Sequence, residues 1–194
     1  MLKLITPPTI EPISLSELKA HLRIDGTDED ALLNAIIKTA REHVEAITRR
    51  ALIQQTWQLI LDGWWLSGAI LELPMPPLIS VESIVYKDSA GTEYTLESNK
   101  YLYDATDIGR LMLADGESFP TSELYPMGAV KITFKAGYGT SGDSLPEPIR
   151  HAIRLLCGHY YENREAVIIE RGANIMQLPM AVDALLAPYR VWGF

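Results

Sequence analysis

Leu33, Ile36, Ile37, Ala40, Val44 and Ile47 recur at intervals of three and four residues, the period of one buried helical face. The helix they mark is expected to start at Thr27, as N-cap, and to run to about Arg50. Asp28, Glu29 and Asp30 fall in its first turn and Arg41, Arg49 and Arg50 in its C-terminal half, the charge order that the helix dipole favours. A shorter helix precedes it. The stretch "SLSE" places Ser14 at an N-cap and Glu17 three positions on, a capping box, and Leu15, Leu18 and Leu22 form its apolar stripe.

The period falls to two after Leu52. "TWQLILD" sets Trp57, Leu59 and Leu61 against Thr56, Gln58 and Ile60. "ILELP", "SVESIVYKD", "EYTLES" and "GRLMLA" read as further short strands, with "DSAGT" as a hairpin turn. "AVKITFKAGYG" alternates most clearly, with Val130, Ile132 and Phe134 inward and Lys131, Thr133 and Lys135 outward. Breaks such as "PMPPL" separate the runs. The helical period then returns from about Pro146 to Glu165, with Ile149, Ile153, Leu156 and Tyr160 on one face. After the irregular "ERGANIMQLP" a terminal helix covers 179–191, where Val182, Leu185, Leu186 and Tyr189 keep helical spacing. Pro188 interrupts it, and Trp192 and Phe194 follow.

These elements predict an α+β fold: a bundle of about four helices (14–50, 146–165, 179–191) with an antiparallel β insert, 52–140, between the second and third. All 194 residues are read as a single domain, a size that one domain accommodates.

Composition narrows the function. Hydrophobic residues make up 47% of the chain, enough for a substantial core. No run of 18 uncharged apolar residues exists, so no membrane span is expected, and the proline-interrupted start "MLKLITPPTIEP" lacks the apolar core of a signal peptide. A cytoplasm-like compartment is expected. With one cysteine, Cys157, an internal disulfide is impossible. The net charge is −8, and residues 51–140, with 11 acids and 5 bases, supply −6 of it. A phosphate-gripping surface needs the opposite sign, so tight binding to nucleic acid is not expected.

Three stretches invite a chemical reading. "GYGTSG" contains G-x-G-x-x-G at Gly137, Gly139 and Gly142. No helix opens on the third glycine and no second strand completes a βαβ unit, so a glycine-rich turn fits better than a dinucleotide site. "CGHYYENRE" offers Cys157 and His159 as a nucleophile pair or metal ligands, yet two residues apart on a helix they face different ways. A buried cysteine in a helix whose polar residues meet a partner is the simpler reading. Asp104, Asp107, Asp115 and Glu117 do not follow a calcium-loop spacing and read as solvated turns. No cofactor, metal or catalytic residue is expected.

The order of these pieces is distinctive. "PISLSELKAHLRIDGTDEDALLNAIIKTAREHVEAITRRALIQQTWQLILDGW" resembles the amino-terminal half of the head–tail connector (adaptor) proteins of long-tailed bacteriophages, prophages and gene transfer particles. "LPMPPLISVESIVYKDSAGT", "VKITFKAGYG", "LPEPIRHAIRLLCGHYYENREAV" and "ALLAPYR" continue the resemblance in order, over roughly residues 10–191. It implies a structural virion protein rather than an enzyme: a ring of twelve copies beneath the portal that extends the DNA channel and offers a surface to a stopper or tail-completion protein. DNA would pass without specific binding. The protein would reside in the virion, and in the host cytoplasm during assembly.

The resemblance also gives the tail a role. Leu185, Leu186, Tyr189, Arg190 and Trp192 are expected to contact the portal, in the manner of a helix in a groove, and to become ordered there. Glu162, Arg164 and Glu165, at the end of the third helix, are expected between subunits, where charge pairs set register. The alternatives are another connector of the virion, such as a stopper or tail-completion protein, and an enzyme using Cys157.

Overall fold

The computed structural model of the protein describes residues 1–65, 68–163 and 180–192. It contains two compact units, one made of Met1–Thr9 and Gln54–Tyr138, the other of Ile10–Ile53 and Gly139–Phe194.

The first unit holds the strands. β1 (Leu2–Thr6), β2 (Gln55–Leu61), β4 (Leu78–Lys87), β5 (Glu93–Leu96) and β8 (Val130–Ala136) form a five-stranded antiparallel sheet in the order β1-β2-β8-β4-β5. β3 (Leu71–Leu73), β7 (Gly109–Leu113) and β6 (Tyr101–Asp104) form a three-stranded antiparallel sheet in that order. Register explains which residues are buried. One cross-strand row runs Leu2, Leu59, Ile132, Ile84, Leu96 and the next Leu4, Trp57, Phe134, Val81, while the row between them is polar, Lys3, Gln58, Thr133, Ser83. A slip of one residue would exchange these rows, so the pattern holds the register. Ile84, Val130, Ile132 and Phe134 are wholly buried, as are Leu73 and Leu111 of the smaller sheet. Gly109 marks a close approach: a Cβ there would lie 2.7 Å from the Leu78 side chain.

The second unit holds the helices α1 (Leu15–Leu22), α2 (Asp30–Thr48), α3 (Glu147–Glu162) and α4 (Met180–Leu186). α3 packs on the other three, and its face Ile149, Ala152, Ile153, Leu156 and Cys157 meets Leu18, Leu33, Ile37, Ala40, Val44, Val182 and Leu186 in the core. The capping box forms: Ser14 Oγ accepts the Glu17 amide, and the Glu17 carboxylate accepts the Ser14 amide at 2.8 Å.

The expected architecture, a helical bundle carrying one β insert between the second and third helices, is corrected. Among the described residues there are eight strands in two sheets, with a hydrophobic core of their own, and β1 lies ahead of the first helix, paired with β2. Its partner is more than fifty residues away, a non-local pairing that local periodicity does not report, and Pro7 and Pro8 obscure its alternation. Helix α2 begins at Asp30, with Glu29 at the N-cap position, because the Thr27 carbonyl takes the Asp30 amide in a turn. Ile47 and Tyr160 are half-buried, and every residue of β2 from Thr56 onward is half-buried, so the two faces of that strand differ little. Pro188 ends α4 in a short 3-10 turn, Ala187–Tyr189. No helix among the described residues is long and apolar enough to cross a membrane.

Candidate interaction surfaces

The tail is held by its own unit. The Val191 amide donates to the Thr48 carbonyl at 3.0 Å, satisfying one of the carbonyls that the end of α2 leaves open. Arg50 Nε donates to the Tyr189 carbonyl at 2.7 Å, and Arg190 pairs with Asp183 at 2.5 Å. Leu186 is fully buried, so among the expected portal contacts it serves the core. Leu185, Tyr189 and Arg190 are half-buried. Trp192 is different: Val191 beside it is 9% exposed and Trp192 is 81% exposed. Ala46, Ile47, Arg49, Arg190, Val191 and Trp192 line a cleft of about 350 Å³. These bonds fasten the stretch from Tyr189 to Val191 to the end of α2 and to α4.

Glu162 is the last residue of α3 and is exposed, and Asn163 closes the helix by donating its amide and its side-chain nitrogen to the His159 carbonyl. Arg164 and Glu165 lie outside the described residues, so the three expected inter-subunit charges are not brought together here.

The chemical candidates find structural explanations. Cys157 is fully buried, and burial, reinforced by the negative charge of Glu11, pushes its thiol up to about 12. It is therefore a packed thiol and not a ready nucleophile. In "GYGTSG", a Cβ on Gly142 would lie 2.3 Å from the Pro12 carbonyl oxygen, and Ser141 Oγ accepts the Asp143 amide. The turn is thus shaped by packing. Asp104 accepts from Arg110 and from the Thr106 amide, and Glu117 faces Lys100. Among the described residues, no group of three or more His, Cys, Asp or Glu side chains is placed to hold a metal ion.

Arg41 was not singled out by its residue type. It is 5% exposed, with Nε at 2.8 Å from Glu11, one terminal nitrogen at 2.8 Å from Glu45 and the other at 3.3 Å from Glu42. Desolvation works against its charge, yet Glu45 and Glu11 outweigh that and raise its pKa. The second oxygen of Glu45 accepts the Leu52 amide at 3.0 Å, so one buried ion group fastens both Glu11 and the segment after α2. The signal was its position: Arg41 falls four after Ile37 and three before Val44, on the buried stripe.

The outer face of the small sheet presents apolar side chains to solvent. Leu102 and Met112 are cross-strand partners, 57% and 38% exposed, with Ile70 at 53% nearby. Glu72, Arg110 and Asp104 follow as the adjacent row.

Residues 12–106 match the family model of phage gp6-like head–tail connector proteins. No curated protein matches the chain. Among solved structures, it is similar to a chain in the neck of an empty gene transfer agent particle computed with C6 symmetry: 28% identity, a TM-score of 0.77, and coverage of 100% of this chain and 97% of that one. The same values hold for a chain in the virion of a native gene transfer agent particle. A chain in the neck of the native particle computed with C12 symmetry is 27% identical, with a TM-score of 0.76 and the same coverage. The family match thus spans just under half of the chain, in its amino-terminal part, and the likeness to the gene transfer agent chains spans its whole length.

Proposed function

We propose that this structural virion connector works as a ring of twelve copies beneath a portal, extends the DNA channel, and passes the head on to a stopper or tail-completion protein. The observation that carries the reading is the likeness, over the full chain, to a chain in a particle neck computed with C12 symmetry. Both units act together in it as one connector domain.

Charge supports passage of DNA without binding. The strand unit carries 11 acidic against 6 basic side chains, a net of −5. Four of those bases face carboxylates: Lys100 with Glu117, Arg110 with Asp104, Lys131 with Glu93 and Lys135 with Glu82. A base already paired releases few counterions on meeting a phosphate.

Trp192 leads the contact with the portal. An exposed indole at a cleft is the kind of anchor that dominates an interface, and Arg190, Leu185 and Tyr189 join it in that contact. Glu162, with Arg164 and Glu165, serves the contact between copies. The purified chain stays monomeric or weakly associated until the portal templates it.

The test is stoichiometry. Chain and cognate portal are mixed at increasing ratio and the mass of the complex is followed by mass photometry. Saturation at about twelve copies per portal ring supports the reading, and binding of one or two copies, or of none, overturns it.

A further inference from the structure

We propose that, besides the charges at the end of α3, neighbouring copies share a second contact, in which the outer face of the three-stranded sheet packs on the β1 edge of the next copy. The inference rests on the ring reading. A cyclic ring of more than two copies uses a heterologous contact: each copy needs two different patches that complement each other. The strand unit supplies two such patches on separate elements.

The first is Ile70, Leu102 and Met112, apolar side chains on a solvent-facing sheet surface. Its rim is net negative, with Glu72 and Asp104 against Arg110. The second is β1. Leu4 and Ile5 are 40% and 44% exposed, although Leu4 belongs to the inward row of its sheet, beyond Trp57 at the sheet's edge. The register leaves the backbone groups of Leu2 and Leu4 pointing away from β2, because Met1 exchanges hydrogen bonds with Ile60 and the exchanging residues alternate along an antiparallel pair. Lys3 is the only charged side chain in β1 or β2 and is positive.

One chain thus carries both an apolar surface with an acidic rim and an apolar edge with a basic residue. Apolar centres with charged rims are the usual anatomy of a protein interface, and an open, apolar strand edge is a liability unless something covers it. The occupant is a second copy of this chain. A stopper, a tail protein or a dyad-related copy would each leave one of the two patches without its complement.

Cysteine cross-linking separates the outcomes. Leu4→Cys and Leu102→Cys are made singly and together in the full chain, incubated with the portal and treated with a short thiol-to-thiol cross-linker. Cys157 is buried and stays silent. The double variant is expected to give a ladder of linked chains reaching high multiples, while each single variant gives none. Linked dimers from Leu102→Cys alone would show a twofold contact and overturn the proposal. So would the absence of a ladder while mass photometry of the same sample shows rings. If no oligomer forms at all, the ring reading itself fails, and the proposal with it.

Discussion

Gly142 has no room for a side chain, since its Cβ would meet the Pro12 carbonyl oxygen at 2.3 Å. Gly142→Ala must move backbone, and an overpacking cost of about 1–3 kcal/mol is expected, read as a lowered Tm. Arg41 is the costlier residue to lose. Arg41→Met strands the carboxylates of Glu45 and Glu11, and breaking a buried ion group of this kind costs about 3–5 kcal/mol. Lys131→Met, which removes an exposed pair with Glu93, should lower the stability far less when both variants are unfolded in denaturant. Equal effects would mean that burial of Arg41 is not what matters. Trp192→Ala reverses the usual ranking of a tryptophan. At 81% exposure its loss should change stability by less than about 0.5 kcal/mol. If it anchors the portal contact, affinity for the portal should fall by about 2 kcal/mol, roughly thirtyfold. Unchanged affinity would move the contact elsewhere.

Among the elements, α1 ties its own start to α3. Glu17 accepts the Ser14 amide and also faces Arg150 at 2.5 Å. The Ser14 amide, then the Ser14 hydroxyl and the charges of Arg150 and Arg154, hold its carboxyl below the ordinary 4.5, with burial opposing them. A depressed carboxylate stabilises the fold above its unfolded pKa, and that stabilisation is lost as pH falls through the folded value. The Tm difference between the native chain and Glu17→Gln should therefore be full at pH 7 and shrink as the pH drops below about 4.5. A gap that stays constant down to pH 3 would contradict this. The same elements show what the sequence made legible. Helix α1 announces itself through its capping box, and α2, α3 and strand β8 through unbroken periods, because each buries a single face against its own unit. β1 stayed hidden because its pairing is with residues far along the chain. The β2 alternation overstated its burial, since both its faces are half-covered. On the tail, spacing could mark Leu185, Leu186 and Tyr189 as one stripe, but it could not show that Leu186 faces inward while Trp192 faces out; that depends on the bond from Val191 to Thr48.

At the scale of the whole molecule the strand unit is acidic and most of its bases are paired. A retardation assay with duplex DNA at about 50 mM salt, where electrostatic binding is strong, should show no shift. A complex that dissolves steeply with salt would contradict a channel that lets DNA slide. The proposed function depends above all on the ring. Its most direct test is electron microscopy of the chain assembled on its portal, with the rotational symmetry of the added density determined without imposing it. A closed ring of twelve copies, stacked coaxially on the portal, is expected. Density for isolated copies on the portal, or a chain that stays monomeric with portal present at every concentration, would contradict it.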